Sequence, residues 1–377
     1  MNIKDAKKLV KSLFMTQIRT GVRYSVELRS GPGLGKSEGI AQTADELAVE
    51  LARDPEIVAM IGEKMRSIDG KAAIPFGLKP FFLSTVEQPD IRGFGIPSKD
   101  TDGTPIMIYT RAPWMPRTND PKHGIVFLDE FGQGGHDVQK PAAELLNAGS
   151  VGDSKLPITY MVICASNREK DRSGVQRDLA FLSNRRMIIN IQPELDAWVE
   201  WAEKKAIHWI AVSFAKVHPG LVFQDEVPVK AGPFCTPRTL VKVSHLIDTM
   251  PMNLFTEACM GYLGEGAGAQ FVAHFRVAQE VPDFKEIVAN PTKARLPEKD
   301  RPDAQYATMQ MVAYRVDKDT AAPAFEYLKR MPKEFQVAGL RAALSKCGDL
   351  VRSKGFADWL KQNKDLVMNA NLLDRSN

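Results

Sequence analysis

Short apolar runs and amphipathic stretches alternate through the first half of this 377-residue chain. Residues 24–29 alternate like a strand, whereas residues 38–51 are rich in Ala, Glu and Leu, as a helix is. Residues 125–128 and 161–165 are continuous apolar runs, which are typical of central strands buried on both faces. This alternation, up to about residue 192, predicts an α/β fold with a parallel sheet flanked by helices.

The pattern changes after residue 192, where it becomes largely helical. We therefore predict three regions: an α/β core over 1–192, a helical region over 193–290 and a helical C-terminal region over 291–377. Within the core, residues 84–118 contain strand-like segments separated by Gly and Pro, which favours a β-excursion or long loop over a crossover helix.

Composition excludes several classes of protein. No apolar run approaches the roughly 18–20 residues of a membrane span, and no apolar segment follows the N terminus as in a signal peptide. The four cysteines are scattered without metal-ligand spacing, so we expect reduced thiols in a cytoplasmic protein. The formal net charge of +4 permits contact with nucleic acid but does not argue for it.

A glycine-rich loop between a predicted strand and a predicted helix is the most informative local pattern. Residues 30–37 follow the phosphate-loop pattern G-x-x-x-x-G-K-[ST], except that Ser30 occupies the first glycine position. Backbone N–H groups in such a loop bind a polyphosphate at a helix N-terminus. Lys36 would reach the β- and γ-phosphates and Ser37 would bind Mg²⁺. The expected nucleotide-binding residues are Gly31, Pro32, Gly33, Leu34, Gly35, Lys36, Ser37 and Glu38.

Two carboxylates follow the apolar run that ends at residue 128. A buried strand that ends in Asp129 and Glu130 would deliver both acids to the carboxyl edge of the sheet, where α/β folds bind ligands. Asp129 would bind Mg²⁺ and Glu130 would act as the general base that polarises the attacking water. A strand ending in one acid is common, but the pair together with the phosphate loop predicts nucleotide hydrolysis.

Asn167 ends a second apolar run at the same predicted edge. Its amide could hold the attacking water or contact the γ-phosphate, although a strand-ending Asn is also an ordinary turn residue. Arg185 and Arg186 precede the strand-like run 187–191. Either arginine could project into a neighbouring subunit as an arginine finger, or both could be solvated surface charges.

A last candidate lies in the helical region. Thr236 and Pro237 predict the N-cap and first turn of a helix. This start would direct Arg238 back toward the nucleotide.

The order of these motifs resembles that of the AAA+ ATPases, specifically the MoxR type. The segments 89–93, 167–171 and 196–202 look like those of a MoxR-like group found in bacteriophages and bacteria, and the resemblance covers about residues 20–290. It implies an AAA+ P-loop core, an α-helical lid carrying Arg238 as sensor 2, and Asn167 as sensor 1. A phage-encoded member would work in the cytoplasm of its bacterial host.

The resemblance also implies how such a protein assembles and acts. Family members form rings, usually hexamers, with ATP and Mg²⁺ between subunits, so that Arg185 or its competitor Arg186 would act on the neighbour's nucleotide. Many remodel protein clients beside a partner with a von Willebrand factor A domain. Loops around Phe94 could grip such a client in the ring pore.

Three functional classes remain open at this stage. The leading one is a chaperone-like, protein-remodelling ATPase. The alternative is a nucleic-acid motor or DNA-processing ATPase, which would need a basic stripe with aromatic residues. The third is a non-motor P-loop enzyme, whose turnover would depend on an acceptor substrate and would not depend on Arg185.

Overall fold

The computed structural model of the chain describes residues 1–61, 64–171, 182, 184–229 and 231–362. They form two compact units. The first is Met1–Glu194 with Asp225–Val227, and the second is Leu195–Gln224 with the chain from Pro228 onward. Among the described helices, none combines the length and the apolar character that a membrane crossing requires.

The first unit is built on a parallel sheet. In chain order its elements are α1 (Ile3–Thr20), β1 (Ser25–Ser30), α2 (Lys36–Leu51), α3 (Pro55–Ile61), β2 (Arg66–Ile68), β3 (Lys71–Ala73), β4 (Gly77–Phe82), α4 (Gln88–Arg92), β5 (Gly95–Lys99), β6 (Pro105–Tyr109), β7 (Gly124–Asp129), α5 (His136–Ala148), β8 (Ser150–Val151), β9 (Ser154–Lys155), β10 (Tyr160–Asn167) and β11 (Met187–Asn190). Five of these strands form the sheet in the order β11-β1-β10-β7-β4, and every neighbouring pair is parallel.

The strand register determines which loops meet. β1 pairs with β10 from Ser25 opposite Val162 to Ser30 opposite Asn167. β10 in turn pairs with β7, with Cys164 opposite Leu128. The carboxyl ends of β1, β7 and β10 therefore lie side by side at one edge, which is where open α/β sheets bind ligands.

Alternating residues of the sheet enter two apolar layers. One layer packs the sheet against α1 and α2, with Phe14 and Leu47 fully buried. The other packs it against α5, with Phe131 and Trp114 in its centre. The predicted fold class, a P-loop α/β core with a parallel sheet between helices and a mostly helical region after it, is confirmed.

The stretch 84–118 contains α4 and an antiparallel hairpin of β5 and β6. Its base is fixed by the Arg92 guanidinium, 4.4 Å from the centroid of the Tyr109 ring. The Tyr109 N–H also donates a 2.7 Å hydrogen bond to Asp153 Oδ2. The hairpin is thus anchored at one end and extends its polar turn, residues 100–104, away from that base.

The second unit is helical throughout its described part. Its helices are α6 (Leu195–Lys204), α7 (Trp209–Val217), α8 (Pro219–Val222), α9 (Pro237–Ser244), α10 (Met252–Leu263), α11 (Glu265–Gln279), α12 (Phe284–Ala289), α13 (Pro302–Arg315), α14 (Ala321–Leu328), α15 (Lys333–Lys346) and α16 (Lys354–Gln362). They share one core, in which the rings of Phe214 and Phe271 lie 5.0 Å apart. The predicted boundaries at 192 and 290 stay predictions.

Candidate nucleotide-binding and hydrolysis site

The phosphate loop joins β1 to α2 at the carboxyl edge of the sheet. Gly33 and Gly35 adopt the left-handed conformation, with φ of 75° and 81°, which favours glycine at both positions. Ser30 is the last residue of β1 and is not among the residues with positive φ. The first glycine of the motif is therefore not required here by backbone conformation, which explains how serine is accommodated. Pro32 and Leu34 lie between the glycines, half-buried.

Lys36 is the first residue of α2, and its ammonium group lies within the loop. Its Nζ donates to Ser30 O (3.2 Å), Ser30 Oγ (3.0 Å) and Gly31 O (3.2 Å). It also donates to Asn167 Oδ1 at 2.9 Å. The side chain is buried, so its charge is concentrated at the inner wall of the loop, where it would face phosphate oxygens. Glu38, one turn into the helix, is exposed.

Ser37 and Asp129 join the loop to the end of β7. The Ser37 hydroxyl donates a 2.6 Å hydrogen bond to Asp129 Oδ2. Both groups present hard oxygen ligands, which Mg²⁺ prefers, and Mg²⁺ typically takes one or two carboxylates together with phosphate oxygens. The residues present therefore fit a Mg²⁺–nucleotide complex at this edge.

Glu130 has an unusual backbone. Its φ is 55°, a left-handed conformation that few residues other than glycine adopt. Its N–H donates to Asp129 Oδ1 at 2.9 Å, and its carboxylate Oε2 accepts a hydrogen bond from the Ser84 hydroxyl. Ser84 follows the end of β4, so a third strand of the sheet contributes to the position of this carboxylate.

Asn167 lies opposite Ser30 in the sheet register, beside the phosphate loop. The next residue, Arg168, supports the same region. Its Nη2 donates to Asp171 Oδ1 at 2.9 Å and its Nη1 to Asp225 Oδ1 at 2.7 Å. A methyl group at Gly31 would lie 3.2 Å from Arg168 Nη2, so this arginine packs against the loop.

The charges around Arg168 stabilise one another. Hydrogen bonds that the Arg168 guanidinium donates to Asp171 raise the pKa of Arg168. Hydrogen bonds from Lys170 and Arg168 lower the pKa of the Asp225 carboxyl to about 2. Arg168 and Asp225 are therefore both ionised near neutral pH.

The two adjacent arginines have different surroundings. Arg186 is buried, and its Nε donates to Glu27 Oε2 at 2.5 Å. Arg185 is exposed on the turn before β11. Met187 pairs with Val26, close to the beginning of β1, whereas the phosphate loop follows the end of β1. Arg185 therefore lies near the edge of the sheet opposite the loop and is not brought to the phosphate loop of its own chain.

Arg238 belongs to the second unit. Thr236 is the N-cap of α9, Pro237 is in its first turn, and Arg238 is exposed beside them. Its sensor role stays a prediction.

The structure thus brings together predicted residues from the ends of three strands, β1, β7 and β10. The residues at the carboxyl edge are Lys36, Ser37, Asp129, Glu130 and Asn167. Ser84 and Arg168 were not predicted as site residues from the sequence. Ser84 lies 46 positions before Glu130 and belongs to no recognisable motif, whereas Arg168 directly follows Asn167 and could have been noticed for that reason.

Comparison with known proteins shows only distant likeness. No family model matches the chain, and no curated protein does. Similar solved structures include a mutant of RuvB from Thermotoga maritima, with 12% identity, a TM-score of 0.33 and coverage of 96% of this chain and 88% of that chain. PCH-2 from C. elegans has 11% identity, a TM-score of 0.33 and coverage of 74% of this chain and 69% of that chain. NtrX from Brucella abortus has 11% identity, a TM-score of 0.30 and coverage of 94% and 67%.

Proposed function

We propose that this chain is an AAA+ ATPase that hydrolyses ATP to ADP and phosphate with Mg²⁺. The observation that supports this most strongly is the arrangement at the carboxyl edge. A buried lysine in a glycine-rich loop, a hydrogen-bonded Ser37–Asp129 pair and a carboxylate on the next residue meet there. These are the parts that P-loop phosphoryl transfer requires.

Each residue of the site has a role that follows from its position. Lys36 would neutralise charge on the β- and γ-phosphates, and Ser37 with Asp129 would hold Mg²⁺. Bound Mg²⁺ would polarise the phosphoryl oxygens and screen their charge. Glu130 would accept a proton from the attacking water, because its carboxylate is free of any cation in the described contacts and is oriented by the Ser84 hydroxyl. Asn167 would orient the water or the γ-phosphate.

We further propose that the site is completed by a second copy of the chain in a ring, with a hexamer as the expected form. Arg185 supports this, because it is exposed near the opposite edge of the sheet. Ser30 lies four positions after Val26, which is about 13 Å along the strand. An arginine placed there is suited to a neighbour's nucleotide. The burial of Arg186 favours Arg185 over Arg186 as the finger.

The MoxR type, a von Willebrand factor A-domain partner and a protein client are the finer parts of this proposal. The hairpin of β5 and β6 supports a protein client. Phe94 is 64% exposed and Met107 is 53% exposed, and Ile96 and Ile108 pair across the strands with about half of each surface accessible. Segment 95–109 carries one lysine and two aspartates, whereas contact with a nucleic-acid backbone requires an excess of cations.

ATP turnover per subunit, measured across a wide range of protein concentration, tests the ATPase and its assembly together. We expect specific activity to rise and then saturate as rings form. Glu130→Gln should bind ATP and lose turnover, because the amide cannot accept the proton. Turnover of Glu130→Gln at the wild-type rate would contradict the general-base assignment.

The hairpin proposal has its own test. A reduced and alkylated, permanently unfolded protein should stimulate turnover of the wild type but not of Phe94→Ala with Met107→Ala. Thr101→Ala, in the polar turn, is the matched control and should respond as the wild type does. Salt-sensitive stimulation by DNA, with no response to the unfolded protein, would favour the nucleic-acid motor instead.

A further inference from the structure

A buried charged cluster lies on β1, an inner strand of the sheet and the strand that leads into the phosphate loop. β1 is flanked by β11 and β10, and such strands are usually apolar throughout. Glu27 nevertheless lies in the middle of β1 and is 1% exposed. It shares its face of the sheet with the fully buried Cys164, which pairs with it across the strands. A carboxylate in this position is costly unless it is paired.

The partners of Glu27 come from β10, from the turn before β11 and from β1 itself. Its Oε2 accepts a 2.5 Å hydrogen bond from Arg186 Nε, and its Oε1 accepts one from the Ser166 hydroxyl. Arg29, two residues along β1, donates to both carboxylate oxygens at 2.9 Å. The carboxylate therefore connects β1 to β10 and to the turn before β11.

Arg186 reaches a third element from the other side. Its guanidinium carbon lies 5.1 Å from the centroid of the Phe131 ring, which is fully buried. Phe131 directly follows Glu130. The Arg186 side chain thus spans from the turn that carries Arg185 to the segment that carries the candidate general base.

Three residues in these contacts are each adjacent in sequence to a candidate site residue. Ser166 precedes Asn167, Phe131 follows Glu130 and Arg186 follows Arg185. The buried Glu27–Arg186 pair therefore contacts the direct neighbours of two candidate site residues at the carboxyl edge. It also includes the direct neighbour of Arg185, near the opposite edge.

We infer that Glu27 and Arg186 are positioning residues, which hold Arg185 in the orientation that it needs to reach a neighbouring subunit's nucleotide. The inference rests on the proposed function. Arg185 sits on an exposed turn. Backbone conformation in such turns varies more than in the strands that they connect. The ion pair one residue away fixes that turn to the sheet, and the contacts with Ser166 and Phe131 tie its position to the nucleotide edge of the same subunit.

The test replaces both members of the fully buried pair, so that neither is left as an unpaired buried charge, while the Arg29 guanidinium remains partly exposed to solvent. The double variant Glu27→Met with Arg186→Met fills a similar volume with apolar side chains, which folded proteins often tolerate. Removing only one partner would leave the other charge buried and unpaired. We expect unchanged ATP affinity and a loss of turnover of at least about tenfold, because a misplaced finger stabilises the transition state poorly. Thermal unfolding would establish that the variant is folded.

Mixing experiments separate positioning of Arg185 from a general defect. Glu130→Gln subunits cannot hydrolyse ATP but carry an intact Arg185 and Glu27–Arg186 pair. Added to the double variant, they should restore turnover at its intact nucleotide sites. Arg185→Ala subunits should not restore it, because neither partner then presents a correctly placed arginine. The control is Lys79→Met. Lys79 lies on β4 and forms a 2.5 Å ion pair with Asp120, and loss of this pair should leave turnover unchanged.

Two results would overturn the inference. Wild-type turnover of the double variant would show that the pair only contributes to stability, and a defect that Glu130→Gln subunits do not relieve would show that it does not act through Arg185. If the double variant does not fold, Glu27→Asp, which retracts the carboxylate by one methylene, should show the same loss of turnover and the same rescue. Wild-type turnover of Arg185→Ala would instead contradict the proposed function.

Discussion

Glu130 combines two unusual features at the scale of a single residue. Its left-handed backbone stores conformational strain, which in folded proteins concentrates at functional sites. Its carboxylate accepts a hydrogen bond from Ser84, which follows a different strand. The backbone conformation fixes the start of the Glu130 side chain and the Ser84 hydroxyl fixes its carboxylate, so the proposed general base is held at both ends.

Removal of the Ser84 hydroxyl should therefore disturb catalysis and spare binding. We expect Ser84→Ala to lower turnover by about tenfold with unchanged ATP affinity, since a small displacement of a catalytic group is costly. Thr85→Ala is the matched control, because the Thr85 hydroxyl donates to Phe82 O and does not contact Glu130. Steady-state turnover and equilibrium ATP binding measure both effects, and an unaltered Ser84→Ala enzyme would exclude the orienting role.

We expect Lys36 to affect the affinity for ATP, in contrast to Ser84, which should affect turnover. Its ammonium group is buried among loop oxygens, and its replacement removes the cation that faces the phosphates. We expect Lys36→Ala to weaken ATP affinity by about 100-fold, which corresponds to ~2.7 kcal/mol. Lys8→Ala, on the exposed side of α1, is the control. Calorimetric titration with ATP measures the change, and a similar affinity in both variants would argue against the loop as the phosphate site.

The residues at the nucleotide edge were largely predictable from sequence, whereas the residues that support them were not. Lys36 and Ser37 belong to a local loop motif and Asp129 ends an apolar run, so one sequence is enough to predict that they lie at the carboxyl edge. Their roles in binding stay predictions. Arg185 and Arg186 look equivalent in sequence, and only the fold shows that Arg186 is buried against Glu27, 159 positions away. Contacts between distant positions leave no local pattern.

At the scale of elements, the start of α9 positions Arg238. The Thr236 hydroxyl accepts from the Thr239 N–H at 3.2 Å, and the Thr239 hydroxyl accepts from the Thr236 N–H at 2.8 Å. This reciprocal cap satisfies donors at the helix start that no intrahelical carbonyl reaches.

Thr236→Ala should lower the free energy of unfolding of the second unit by about 1 kcal/mol, the usual value of an N-cap threonine. Thr249→Ala removes a hydroxyl that bonds only to backbone carbonyls behind it, and we expect it to be near neutral. Urea denaturation of both variants measures the difference. Equal stability of the two would show that the cap contributes nothing.

A buried histidine makes the second unit sensitive to acid. Burial lowers the pKa of His274 on α11 to about 4, and its Nε2 lies 3.1 Å from the Ser213 hydroxyl. The unfolded chain takes up a proton near pH 6.5, whereas the folded unit takes it up only near pH 4. The contribution of His274 to the free energy of unfolding is therefore fully present above pH 6.5 and is lost as the pH falls toward 4.

Lowering the pH from 7 to 5 should therefore reduce the free energy of unfolding by about 2 kcal/mol through protonation of this histidine in the unfolded chain. His274→Gln should reduce the pH dependence by that amount, while His245→Gln, at an exposed position of the same unit, serves as the control. Urea midpoints of the second unit at both pH values measure the effect. An identical slope in His274→Gln and the wild type would contradict the account.

The apolar runs predicted the central strands β7 and β10 closely, because strands buried on both faces can tolerate few polar residues. β1 was predicted from alternation, and the structure explains why it alternates. Glu27 and Arg29 share one face and bond to each other. The position of β11 beside β1 could not be derived from periodicity, since it depends on pairing between distant segments.

At the scale of the whole molecule, we assign different roles to the carboxyl edge of the sheet and to the edge opposite it. We propose that the carboxyl edge binds and hydrolyses the nucleotide and that the turn before β11 presents Arg185 to a neighbour. On this proposal a single chain does not contain a complete active site.

Complementation between two inactive variants tests this claim most directly. Lys36→Ala lacks nucleotide binding and Arg185→Ala lacks the finger, so each alone should have little turnover. Mixed in equal amounts, they should recover part of the wild-type rate, because Lys36→Ala subunits supply Arg185 to the intact sites of Arg185→Ala subunits. Native mass spectrometry would verify that mixed assemblies form. Mixed assemblies that hydrolyse no more ATP than either variant alone would contradict an active site shared between subunits.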